Sequence, residues 1–199
     1  MKTYIKIKEK QMLIKKFFNQ HLDVQKKTLE ILEKKIYLAS EMISDCLKNN
    51  GLIMWCGNGG SAADGMHLSA ELLGRFKNKR KALRSVSLAA DSASITCISN
   101  DFGYENLFSR QIEGLANKND ILISLTTSGN SINIINAIKK AKNLKLKTIL
   151  FSGNSGGQCL GLNDLELIVP SKSTARIQEM HMLIGHILCE LIEEHLNLK

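Results

Sequence analysis

The sequence predicts a doubly wound α/β sandwich, a parallel sheet with helices on both faces, and three observations predict it. Five short apolar runs contain almost no polar residues. Segments with helical spacing of apolar residues separate them. Polar stretches, most of them glycine-bearing, recur between runs and helices: Gly57-Asn58-Gly59-Gly60-Ser61, Asn100-Asp101, Thr126–Ser131 and Ser152-Gly153-Asn154. Runs that are apolar throughout indicate strands buried on both faces, the habit of parallel sheets. Right-handed crossovers then wind helices over both sides. Ligands in such folds sit beyond the carboxyl ends of the strands, where these polar stretches fall.

The first element is helical. From about Lys10 to Asn49, Leu29, Leu32, Ile36, Ile43 and Leu47 share one stripe and Ala39 fills its gap, so long N-terminal helices precede the sheet. Strands are expected at Leu52–Cys56, Val86–Ala89, Ile121–Leu125, Thr148–Phe151 and Leu165–Val169. Helices are expected at Ser61–Phe76, Ser92–Asn100, Leu107–Leu115 and Ser131–Asn143, with a short one near Gly157–Leu162 and a last one from Thr174 to about Leu196. No repeat, low-complexity segment or Pro/Gly linker divides the chain, and the single proline, Pro170, merely follows an apolar run. Residues 1–199 therefore read as one domain, with residues 1–48 as a helical segment packing on it and on an oligomer interface.

Composition narrows the function. The chain has 199 residues and 44% hydrophobic content, enough for a sizeable core, and no apolar run long enough to cross a membrane. Lysines interrupt its basic start, Met1 to Lys8, which makes a poor secretory signal. Cys46, Cys56, Cys97, Cys159 and Cys189 are scattered, odd in number and without Cys-x-x-Cys spacing. Buried, reduced thiols in the cytoplasm are the expectation, and cysteine zinc sites and redox dithiols fit the spacing poorly. The net charge of +8 gathers at the N-terminus, Lys77–Arg84 and Lys139–Lys147. With 5% aromatics and no recognition motif, nucleic acid is a poor fit, and a solvated lysine surface favouring phosphorylated substrates is preferred.

The chemistry concentrates in a few segments. Thr126-Thr127-Ser128-Gly129-Asn130-Ser131 places four hydroxyls and a glycine where a buried strand hands over to a helix. Hydroxyl donors, close backbone approach and a helix N-terminus together suit a phosphate ester. An ordinary Ser/Asn cap would use the same residues. No Gly-Lys-Ser/Thr follows, so this is not a nucleotide P-loop. The first glycine loop ends in Ser61-x-x-Asp64, which resembles a capping box and reads as an oxygen cradle or a tight turn. His67 and Glu71 stand four apart on one helix face, which suits two metal ligands, an oriented carboxylate or plain solvation. On the last helix, Gln178, Met182 and His186 follow four-residue steps, and Gly185 admits a neighbouring helix. A histidine on so apolar a helix, His181 included, also reads as a core residue. Glutamate and histidine beside a phosphate cradle suit proton transfer at carbon next to a carbonyl. No Gly-x-Ser-x-Gly elbow appears, which argues against acyl transfer.

Taken together, Cys56–Asp64, His67–Leu72, Gly74-Arg75-Phe76, Asn100–Tyr104, Thr127–Ser131 and Arg176–His181 resemble the phosphoheptose isomerases, members of the sugar isomerase (SIS) domain proteins. The resemblance runs in order from about residue 20 to 195. It implies a flavodoxin-like five-stranded parallel sheet and a homotetramer with active sites at subunit interfaces. It also implies conversion of D-sedoheptulose 7-phosphate to D-glycero-D-manno-heptose 7-phosphate through an enediol, for lipopolysaccharide core or capsule. Carried over by motif, Glu71 and His186 form the acid–base pair, with Glu71 preferred at carbon and His186 at oxygen. Thr126, Thr127, Ser128 and Ser131 hold the phosphate. Asn58, Gly59, Gly60, Ser61, Glu71, Arg75, Asn100, Asp101 and Gln178 contact the sugar. Some family members bind Zn2+ through residues matching His67, Glu71, Gln178 and His186, where the metal would orient or stabilise the site. Thr126 stands where the family often has serine, which keeps the hydroxyl. The basic start exceeds the family's usual beginning and is expected to be a disordered tail or an oligomer contact.

Two other readings share the fold. A non-enzymatic protein binding the replication initiator DnaA is close in sequence, but retention of Glu71, His186 and the whole phosphate turn favours an enzyme. A sugar-phosphate-sensing regulator would need a DNA-binding module, for which there is no room.

Overall fold

The computed structural model describes residues 2–198, with side chains from Lys10 onwards. One helix, α1, runs unbroken over Lys2–Lys48. No glycine or proline interrupts those 47 residues, so a single helix forms where helices in the plural were expected. Its backbone is already helical through the basic start, which corrects the expectation of a disordered tail there. Then follow β1 (Ile53–Gly57), α2 (Gly60–Leu73), β2 (Ser85–Ser87), α3 (Ser92–Phe102), α4 (Leu107–Leu115), β3 (Ile121–Thr126), α5 (Ile132–Asn143), β4 (Lys147–Gly153), β5 (Leu165–Val169) and α6 (Thr174–His195). Two 3-10 turns, Tyr104–Asn106 and Gly157–Cys159, join them; the first was not foreseen.

The five strands form one sheet in the order β2-β1-β3-β4-β5, and every pairing is parallel. Alternate residues of β3 serve opposite faces. Ile121, Ile123 and Leu125 pack in a core with Leu32, Ile36 and Ile43 of α1, Leu68 and Leu72 of α2, and Ile177, Ile184 and Leu188 of α6. Leu122 packs with Phe108 and Ile112 of α4 and Ile134 and Ile138 of α5. Both faces are covered, which is why the strand sequences carry so few polar residues. Among the described residues no helix is long and apolar enough to cross a membrane.

Three expectations about burial are corrected. Leu29 is 60% exposed, because Val24 and Thr28 occupy the inward line and turn it outward. Cys97 is exposed on α3, a helix with no buried residue, whereas the other four cysteines are buried. Ser61 does not cap α2: the cap position is Gly59, without a side-chain hydrogen bond, and Ser61 lies buried inside the first turn.

Candidate active site

Two of the polar stretches, Gly57–Ser61 and Thr126–Ser131, meet at the carboxyl ends of β1 and β3. After β1, Gly59 takes φ +55°, a left-handed conformation that glycine adopts without strain. Gly60 then passes under Gln178 so closely that a Cβ would lie 2.4 Å from its Nε2. Asn58 is fixed by a reciprocal amide pair with Asn133, 2.9 Å in each direction, and its Oδ1 also accepts the Tyr104 hydroxyl at 2.9 Å.

After β3, the Thr126 Oγ1 accepts the Gly129 N–H at 3.2 Å, and the Ser128 Oγ accepts the Asn130 N–H at 3.2 Å. Gly129, at φ +69°, abuts the 3-10 turn at Gly156, where its added Cβ would lie 1.8 Å from the Gly156 carbonyl oxygen. Asn130 ties the same two loops by accepting the Gln158 N–H at 3.0 Å. Ser131 stands at the cap of α5 with no side-chain cap bond, so its hydroxyl is not engaged in capping.

A pocket of about 190 Å³ lies between these loops, lined by Asn58, Ser61, Thr126, Thr127, Ser128, Ser131, Thr174 and Gln178. The first turns of α2 and α6 and the cap of α5 all reach it. Three helix N-termini turn positive dipole ends towards one small space, with free N–H groups at α5 and α6 while Ser61 and Ala62 of α2 donate to the Asn58 and Gly59 carbonyls, and together they make a site for an anion. Thr174 was missed by sequence reasoning; its signal was the Ser173-Thr174 hydroxyl pair opening a long periodic helix.

A second constellation lies where α2 meets α6. His67 Nε2 is 3.1 Å from Glu71 Oε1, and His186 Nε2 is 3.5 Å from His67 Nε2. One donor atom from each residue falls within 4.8 Å of the others. Gly185 makes this possible: it packs on Leu68, whose Cδ1 would lie 2.5 Å from an added Cβ. Phe76 stacks on His186 with centroids 5.6 Å apart and planes at 20°. Asp64, one turn before His67, has a buried Oδ2 without a partner among the described residues. Burial raises its pKa, and His67 opposes the rise.

Three of the four residues expected to hold a metal are thus together, and the fourth, Gln178, lies over Gly60 at the pocket. Two imidazole nitrogens and a carboxylate oxygen form a donor set that suits zinc. Arg75, Asn100 and Asp101 are not among the pocket-lining residues. Arg75 is exposed beyond the far end of α2, roughly 20 Å along that helix from Gly60. Asn100 and Asp101 are exposed in the last turn of α3, where the Asn100 Nδ2 donates to Asp101 at 2.7 Å.

Comparison with known proteins agrees with this geometry. The SIS domain family model matches residues 16–153. A phosphoheptose isomerase of Helicobacter pylori (strain P12) is 49% identical over 183 residues, covering 92% of this chain and 95% of the relative. One from Campylobacter jejuni subsp. jejuni serotype O:6 is 48% identical over 182 residues, covering 92% and 97%. The structure of phosphoheptose isomerase GmhA from Neisseria gonorrhoeae superposes with a TM-score of 0.87 at 37% identity, covering 92% of this chain and 98% of that one. The pocket at the strand ends, the His-Glu-His group beside it and these likenesses along nearly the whole length all lead to one conclusion: the chain belongs to the phosphoheptose isomerase family of SIS-domain enzymes.

Proposed function

We propose that this enzyme converts D-sedoheptulose 7-phosphate to D-glycero-D-manno-heptose 7-phosphate through a cis-enediol, with Glu71 and His186 as its acid–base pair. The observation that carries the reading is the meeting of Glu71, His67 and His186 within 4.8 Å, on helices whose first turns open onto an anion pocket. His186 lies eight residues beyond Gln178 on α6, roughly 12 Å along the helix. A linear sugar phosphate can therefore be held at its phosphate while its other end meets the acid–base pair. Thr126, Thr127, Ser128 and Ser131 take the phosphate oxygens. Asn58, Gly59, Gly60, Ser61 and Gln178 take sugar hydroxyls.

Glu71 removes a proton from C1 while His186 delivers one to the C2 carbonyl oxygen, giving the enediol. Glu71 then returns its proton at C2, and the O1 hydroxyl proton passes to His186 as the C1 aldehyde forms. His67 orients the Glu71 carboxylate through the contact between them. His67, Glu71 and His186 would hold Zn2+, which when bound would supply Lewis acidity and fix the geometry of the site, while Gln178, roughly 12 Å along α6 from His186, is too far to join them within one subunit.

A groove of about 690 Å³ between α1 and α6, lined by Leu29, Ile36, Tyr37, Leu38, Ile187 and Leu191, supports oligomerisation, read as a homotetramer from the family resemblance. Arg75, Asn100 and Asp101 complete the proposed sugar contacts, Asn100 and Asp101 standing just before Tyr104, whose hydroxyl reaches Asn58 at the pocket. The enzyme works in the cytoplasm, and its product feeds nucleotide-activated heptose for lipopolysaccharide core or capsule.

The test is incubation with sedoheptulose 7-phosphate in deuterated buffer, followed by NMR, beside Glu71→Gln, His186→Ala and a chelator-treated sample. Aldoheptose 7-phosphate with deuterium at C2 is expected, with a loss of roughly 10²- to 10⁴-fold in each variant. Loss of turnover with chelator would make the metal essential. No turnover from the folded protein would overturn the reading and turn attention to initiator binding.

A further inference from the structure

The segment after α2 buries an ion pair where none is needed to close the core. Arg80 and Glu193 each expose only 2% of their side chains, with Nε and Oε1 2.8 Å apart. Glu193, in the last turn of α6, also accepts backbone N–H groups of Phe76, Lys77 and Asn78 at 3.1–3.3 Å. Arg80 donates to the carbonyls of Glu71 and Leu72, both at 2.9 Å, at the end of α2. Desolvating two charges offsets much of what their attraction returns, so stability alone is a weak account of such a pair. What it does geometrically is specific. One end grips the backbone of Glu71. The other grips the backbone of Phe76, whose ring lies flat on His186.

We propose that Phe76 is a positioning residue for the His186 imidazole, and that the buried Arg80–Glu193 pair sets Phe76 and the Glu71 backbone together. The inference rests on reading Glu71 and His186 as the acid–base pair. Two proton-transferring groups on different helices must keep their separation to a fraction of an ångström, and rate falls steeply when they do not. A single ion pair bridging α2, the loop after it and α6 supplies that constraint.

Phe76→Leu keeps apolar bulk and loses the flat ring; Phe76→Tyr keeps the ring. With sedoheptulose 7-phosphate, Phe76→Leu is expected to lower kcat roughly 10- to 100-fold. KM and melting temperature should stay near wild type, and Phe76→Tyr should recover most of kcat. Glu193→Gln, which turns an amide N–H towards backbone N–H groups, lowers kcat in the same direction. Added to Phe76→Leu it causes little further loss, because both act through one constraint. Equal kcat in the Leu and Tyr variants would overturn the role of Phe76, as would a Leu variant changed only in stability. Multiplying losses would overturn the role of the ion pair. In the same samples, the His186 ring-proton NMR signals should lose their ring-current shift in Phe76→Leu and keep it in Phe76→Tyr. That readout needs no turnover, so an inactive wild type would sink the proposed reaction while unmoved signals would sink this inference.

Discussion

Acidification should destabilise this protein through His181, and the size of the effect follows from its surroundings. His181 is fully buried in α6, edge-on to Phe151 at 5.7 Å, with Nε2 3.2 Å from the Ser152 carbonyl oxygen and Nδ1 without a partner. Burial lowers its pKa from the ordinary 6.5 to about 4, against the Ser152 contact, which favours the proton. The unfolded chain therefore takes up a proton below pH 6.5 that the folded chain refuses until about pH 4. Stability from this residue is complete above the upper value and declines as pH falls between the two. At roughly 1.4 kcal/mol per pH unit, the full loss is about 3 kcal/mol, and about 2 kcal/mol of it is gone by pH 5. Urea unfolding at pH 7.5 and pH 5, at fixed protein concentration, should show wild type losing that much more than His181→Phe. Carboxylates titrate in both proteins and cancel in the difference. If the two lose stability in parallel, His181 takes up its proton in the folded state and the argument from burial is wrong.

Two predictions concern the phosphate turn. Gly129→Ala places a Cβ at φ +69° against the Gly156 carbonyl. It should cost about 1–3 kcal/mol from overpacking, with roughly 1 kcal/mol more for the left-handed backbone. A lowered melting temperature and lost substrate binding by calorimetry are expected, and wild-type values for both would refute the loop packing. Thr126→Val strips the acceptor from the buried Gly129 N–H. KM should rise roughly tenfold while Thr126→Ser stays near wild type, and an unchanged KM in the valine variant would remove that hydroxyl from the phosphate site.

The fold was legible because burial on both faces leaves its mark on composition. Ile121–Thr126 and Leu165–Val169 stand out as strands within a residue of their true ends. The edge strand Ser85–Ser87 was placed a residue or two late, since it pairs only with β1 and carries two serines. Periodicity indicated helix before the sheet without showing that it runs as one piece. It also put Leu29 on the buried stripe, because nothing in sequence identifies Val24 and Thr28 as the side laid inward. At the site, the glycine and hydroxyl turns were visible as local composition. The meeting of His67 with His186 was not legible in spacing and came only with the family resemblance, because it depends on contact between residues 119 apart in the chain.

That contact explains why this fold can divide its work. Loops at the strand ends present backbone N–H groups and hydroxyls, which under the proposed function bind a phosphate whatever sugar is attached. The groups proposed to move protons lie instead on the flanks of α2 and α6, where a side chain's direction is set by a whole helix. Helices usually stay 8–10 Å apart; Gly185 against Leu68 lets α6 settle closely on α2. Parallel packing then sets Gln178 over Gly60 at the pocket and His186 beside His67 further along. The same two helices thus fix both the distance from the anion pocket to the His67, Glu71 and His186 group and the separations within that group. A change in helix packing far from the substrate would alter the choice of sugar length and the rate together, whereas a change in the phosphate turn would alter affinity alone.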